Sequence, residues 1–229
     1  MATAKKSALK GAAASSTGVA TTFAAIPAAR AKQLFNWNRL LVLLHGIQAT
    51  IIWWISPTEA LVRFEGTYPV SKIVDGQFAG LDSAKELLFS FPLAYLVAAF
   101  FALSALAHFL VAYPFRKRYE SWLAREFNPM RWAEYALSST LMIIGIASLS
   151  FITDAGALIA IAVCNASMNL FGWSMEEANI GRKNVQWSHY IFGCIAGIAP
   201  WIALFTTVGL SLANWPTGIG PNGRSLEEF

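Results

Sequence analysis

Glu134 has the most chemistry to offer. It lies just inside a long apolar run, in Asn128-Pro129-Met130-Arg131-Trp132-Ala133-Glu134-Tyr135-Ala136-Leu137-Ser138-Ser139. Leu137, Ser138 and Leu141 follow it at i+3, i+4 and i+7, so on a helix an acid, a hydroxyl and apolar side chains share one stripe. A carboxylate in a membrane span costs roughly 2.5–3.5 kcal/mol on insertion scales and by default marks a functional site with a partner. The alternative is an interfacial acid paired with Arg131 or Arg125. Other polar pairs stand at helical spacing in apolar runs: His45 with Gln48, Ser104 with His108, Asn165 with Asn169. Singly, each reads as a satisfied interior group or as helix glue. Two His, a Gln, a Ser and a Glu on three consecutive helices would converge into one buried cluster, which low dielectric requires to be internally satisfied. Its chemistry would be to position and tune a cation or a proton.

A second group is aromatic. Trp201 follows Pro200 well inside the last apolar run. Pro200 cannot donate to Ala196, which predicts a kink. A kink and an indole facing Asn165 and Met168 would suit the wall of an elongated apolar ligand pocket. Trp132 and Trp187 read as an interfacial belt.

The elements that must hold these residues are membrane spans. Of 229 residues, 56% are hydrophobic and 13% charged, with a mean hydropathy of +0.49, against about 25% charged in an average soluble domain. The fold class is therefore an all-α membrane protein, a transmembrane helical bundle. Five spans are predicted, about 38–55, 87–113, 132–152, 155–173 and 187–213, each near or above the roughly 20 residues that cross the hydrocarbon core. Residues 1–37 form a basic low-complexity tail without an acid, with a transit peptide as the alternative, and 214–229 an outer loop or tail. The loop after the first span has two short extended runs, Phe64–Val70 and Lys72–Phe78, punctuated by Gly and Pro; it predicts a small β-hairpin. Cys164 and Cys194 sit in apolar runs and read as packing residues. No internal repeat, phosphate-cradling Gly loop or metal-ligand cluster stands in the sequence, and the reading is a non-enzyme with no nucleic-acid partner.

Lys and Arg alternate along the chain. Six precede the first span's core up to Arg39, and the second-to-third loop adds Arg116, Lys117, Arg118, Arg125 and Arg131. Arg182 and Lys183 follow the fourth span, whereas the intervening loops are poor in excess cation. The positive-inside rule then puts the N-terminus in the cytoplasm.

Several of these residues resemble one family, the heliorhodopsins. Trp132-Ala133-Glu134-Tyr135 with Ser138-Ser139 looks like their third-helix signature, Ser104-Ala105-Leu106-Ala107-His108 like the second, and His45-Gly46-Ile47-Gln48 like the first. Asn165 through Met168 and Pro200-Trp201 resemble retinal contacts on the fourth and fifth helices. The likeness runs from about Asn36 to Trp215 and extends to the N-in orientation, inverted relative to other microbial rhodopsins. It implies a seven-helix, retinal-binding light sensor or signalling protein rather than an ion pump, dimeric in the bilayer. Glu134 would be the counterion of the protonated retinal Schiff base. Ser104, Ser138, His108, His45 and Gln48 would form its hydrogen-bond network. Tyr135, Asn165, Met168, Pro200 and Trp201 would line the retinal.

One departure matters. The family's retinal is bound to a seventh-helix lysine, and all eight lysines here fall in predicted tail or loops. The chain is therefore read as truncated after the fifth helix, without the covalent retinal lysine. Two other classes stay open: a proton or ion channel or transporter, with Glu134 and the histidines as a relay, and a non-photoactive membrane scaffold.

Overall fold

A computed structural model describes residues 23–213. The 214–229 segment and most of the 1–37 tail lie outside these residues. The elements in chain order are α1 (Ala28–Ile55), β1 (Leu61–Val74), β2 (Gln77–Pro92), α2 (Leu93–Ala112), α3 (Arg116–Leu123), α4 (Pro129–Leu149), α5 (Ala155–Asn179) and α6 (Ser188–Ala213). All but α3 among the helices, five in number, are long and apolar enough to cross a membrane. The protein is an integral, multi-pass membrane protein.

Local sequence explains the starts. Asn128 caps α4 by accepting from the Arg131 amide at 3.2 Å, with Pro129 at the first helical position, where its missing N–H costs nothing. Asp154 caps α5 through the Ala157 amide at 2.8 Å. The spans pack as an arc, α1 on α2, α2 on α4, α4 on α5 and α5 on α6. A core of Ile143, Ala147, Leu158, Ile161 and Leu204 joins α4, α5 and α6 at one end. Gly172 of α5 lies against the Trp132 indole, where a Cβ would collide with the ring.

The largest departure from the sequence reading is the ribbon between α1 and α2. Its strands of 14 and 16 residues are antiparallel and far exceed a small hairpin. The turn is Asp75-Gly76, with φ of 52° and 77°, the left-handed pair that suits a two-residue hairpin turn. The second span accordingly starts at Leu93, not Leu87. Leu87–Phe91 is apolar enough to pass for membrane, yet it pairs with Val62–Glu65, and Phe89 stacks on Phe64 at 4.5 Å. Pro92 then ends the strand and opens the helix. The ribbon is rooted on the α4–α5 turn: the Glu65 amide donates to the Thr153 carbonyl at 2.8 Å, and the Thr153 hydroxyl donates to the Glu65 carboxylate at 2.7 Å.

Other bounds also move. Helix α1 begins ten residues before Asn38, inside the stretch read as tail, and α5 runs on through Glu176 to Asn179. The basic loop before α4 contains a short helix, α3. Pro200 is buried inside α6, which continues across it.

Candidate polar site between α1, α2 and α4

Each polar residue singled out in the sequence has a definite place, and most come together. Ser104 of α2 is buried and donates to a Glu134 carboxylate oxygen on α4 at 2.7 Å. Among the described residues no other hydrogen bond reaches that carboxylate. Ser138, one turn further along α4, is buried without joining the Ser104–Glu134 bond. His108 lies one turn past Ser104. Its Nδ1 meets the Asn38 Oδ1 of α1 at 2.7 Å, while Asn38 Nδ2 donates to the Leu34 carbonyl at 2.8 Å. Because Asn38 presents an acceptor, His108 must carry its proton on Nδ1. His45 Nδ1 likewise meets Gln48 Oε1 at 3.0 Å, and the two imidazoles stack 5.6 Å apart. Both rings thus keep Nε2 as their remaining site for taking a proton.

Glu134 also borders open space. A hollow of about 180 Å³ is lined by Asn38, His108, Tyr119, Asn128, Arg131 and Glu134, among others. It runs from the carboxylate toward the basic end of the bundle. Tyr119 of α3 stands at that end. Burial pushes its hydroxyl above the usual phenol value, opposed by a hydrogen bond with Asn38 and by the Arg131 and Arg30 charges. On the other side Glu134 borders an apolar recess of about 200 Å³ with Leu103, Leu106 and Leu137.

Arg131 decides what kind of acid Glu134 is. The sequence allowed it to pair with Glu134, three residues away. It pairs instead with Glu176 of α5, whose other oxygen accepts from the Asn128 amide at 2.9 Å. The guanidinium also lies over the Trp132 ring, 4.7 Å from its centroid. Glu134 is left with a hydroxyl as partner and no cation.

The aromatic group is arranged differently. Asn165 is buried and turned toward α4, donating to Ser139 Oγ at 2.8 Å and Thr140 Oγ1 at 3.1 Å. Asn169 reaches the same Ser139 at 3.1 Å. Met168 packs against Gly193 and Gly197 of α6. Pro200 is buried, and Trp201 is 44% exposed and stacks on Phe205 with centroids 6.0 Å apart. Tyr135 is also half exposed. Among the described residues, no hydrogen bond or ring contact joins these five side chains to one another.

Residues that sequence reading passed over are Asn38, Tyr119, Glu176 and Thr140. Asn38 stood at the assumed start of a span, and Glu176 beyond an assumed end. Tyr119 lay in what was taken as loop.

The heliorhodopsin family model matches residues 34–217, well over half of the chain. The chain belongs to the heliorhodopsin family. Heliorhodopsins are retinal-binding, rhodopsin-like membrane proteins, and the five apolar helices agree with that class. A search of curated proteins returns no match. In heliorhodopsin terms the cluster above is the place to ask what a retinal would meet. Glu134 fits a buried cation in charge and in its uncommitted oxygen. The described lysines, Lys32, Lys72, Lys85, Lys117 and Lys183, lie toward helix ends, on the ribbon or in connections.

Proposed function

We propose that this protein is a light-sensing heliorhodopsin in which Glu134 is the counterion of a protonated retinal Schiff base. The observation that carries the reading is the Ser104–Glu134 hydrogen bond beside a hollow, with Arg131 drawn away to Glu176. A half-buried carboxylate with one neutral partner is poised for a cation, because an adjacent negative charge favours the protonated form of an imine. Retinal, when bound, supplies that cation and a light-driven change of shape.

The residues present take up distinct tasks. Ser104 orients the carboxylate. Ser138 stands one turn away on the same helix, within reach of a rearranged acid. His108, His45 and Gln48, with Asn38, form a polar shelf whose free Nε2 atoms could hold a released proton. Tyr135, Asn165, Met168, Pro200 and Trp201 would contribute to the apolar lining. The charge asymmetry supports a cytoplasmic position for the basic end and the start of α1, and a homodimer is the assembly the resemblance implies.

The test is spectroscopic. Protein expressed from its whole coding region is supplied with all-trans-retinal, and the visible band is recorded before and after hydroxylamine. Glu134→Gln removes the counterion charge, so the band should move to longer wavelength and the imine should lose its proton at lower pH. A visible band unmoved by Glu134→Gln sinks the assignment. Light-driven proton flux into liposomes from the parent protein would favour the channel or transporter reading instead.

A further inference from the structure

The basic end of the bundle contains a feature that the retinal reading does not use. Helix α3 lies between α2 and α4 and carries Arg116, Lys117 and Arg118, with Arg125 just beyond its end. Glu126 has φ of 57° and the Phe127 amide donates back to the Trp122 carbonyl at 3.1 Å, while Phe127 is buried against Trp173. Arg125 stands within this closure, its own amide donating to the Trp122 carbonyl at 2.9 Å. Its Nε is buried and has no hydrogen-bond partner among the described residues. A buried guanidinium N–H without an acceptor is costly, so Arg125 is not fully satisfied by the residues around it, and the side chain lines open space.

Arg125 opens onto a hollow of about 490 Å³. Lys117 and Ser121 line it with Arg125, and Phe23, Ile26 and Ala124 give it an apolar wall. The acid in it, Glu120, is already engaged by Arg116 at 2.9 Å. Two cations and a hydroxyl are thus offered to an anion, beside apolar surface. The hollow lies beside the start of α1 and along α3, next to the ends of apolar helices, where lipid headgroups would stand if those helices span a bilayer, and Trp122 and Tyr119 of α3 are the aromatics usual there. We propose that this hollow is a binding site for the phosphate headgroup of an anionic phospholipid, held by Arg125 and Lys117, with the lipid's glycerol and upper chains against Phe23 and Ile26. The guanidinium supplies paired donors for phosphate oxygens, and the Lys117 ammonium adds charge. This site rests on the five helices spanning a bilayer and not on the retinal reading.

The experiment uses the protein reconstituted in phosphatidylcholine vesicles containing spin-labelled phosphatidylglycerol, with spin-labelled phosphatidylcholine as reference. The parent should show a preference for the anionic lipid, weakened by high salt. Lys117→Gln with Arg125→Gln should reduce that preference severalfold, up to roughly fivefold per cation. Arg182→Gln with Lys183→Gln removes the same charge at the same end and should change it little. Equal losses in the two double variants would mean only a general basic surface and would overturn the site. Displacement of the labelled lipid by millimolar inorganic phosphate would make it a soluble-anion site and overturn the lipid proposal; no displacement supports it. Should Arg125→Gln fail to fold, Lys117→Gln alone, on an exposed side chain, carries the same expectation at one charge.

Discussion

Two polar clusters interrupt the apolar helices, and they are built on opposite plans. Between α4 and α5, Asn165, Asn169, Ser139 and Thr140 are all neutral. Their hydroxyls donate back to the Tyr135 and Ala136 carbonyls, and the amides donate to those hydroxyls. Every bond closes inside the pair of helices. Between α2 and α4, Ser104 meets a carboxyl group whose second oxygen has no hydrogen-bond partner among the described residues and which borders a hollow. The first arrangement joins helices, while the second leaves an oxygen facing open space. Polarity in a span therefore does not by itself indicate function; what distinguishes a site is an incomplete set of partners.

Four substitutions press on that contrast. The largest loss should come from Gly172→Ala, on the joining side. The added methyl meets the rigid Trp132 indole, and overpacking of this kind costs about 1–3 kcal/mol, read as a lower midpoint in detergent unfolding. Asn165→Leu removes two interhelical bonds. At roughly 0.6 kcal/mol each in membrane proteins, it should cost about 1 kcal/mol by the same assay. Asp154→Ala removes the cap of α5 and should cost about 0.5–1 kcal/mol near neutral pH. The Ala157 amide and the Thr67 side chain hold the Asp154 carboxyl below the usual aspartate value. Its stabilisation is complete above that usual value and disappears as pH falls through the lowered one, so parent and variant midpoints should converge in acid. The smallest effect on stability should be that of Glu134→Gln. A glutamine oxygen still accepts from Ser104, and removing a charge from low dielectric offsets what is lost, leaving a change within about 0.5 kcal/mol. If Glu134→Gln destabilises as much as Asn165→Leu, both clusters are structural and the contrast fails.

The sequence shows one half of each cluster more clearly than the other. Helical spacing puts His45 beside Gln48 and Ser104 beside His108, because i+3 and i+4 neighbours share a face whatever surrounds them. It does not say which face meets which, so Ser104–Glu134 and Asn38–His108 are visible only once the helices are packed. Arg131 shows the limit well. In sequence its nearest acid is Glu134, but in space it is drawn across to Glu176, a residue assigned to a loop because two adjacent glutamates interrupt hydropathy. The same averaging over hydropathy hid α3, whose eight residues are amphipathic rather than apolar. It also turned Leu87–Phe91 into membrane when those residues are a strand. Five spans and their order are legible from length and composition, since nothing else accommodates such runs. The arrangement of Tyr135, Met168 and Trp201 is not legible, because aromatic and thioether side chains pack equally well in many directions.

The rooting of the ribbon has a consequence for how the chain is made. Glu65 is fastened to Thr153, 88 residues later in the sequence. At about 5–20 residues per second, ribosomal synthesis separates the two by about 4–18 seconds. Through that interval the two strands have emerged, with Phe78, Leu81 and Leu88 all exposed, before the turn that anchors them exists. The ribbon can therefore be fastened only after the third span and the turn that follows it have been made, so its two strands precede their own anchor.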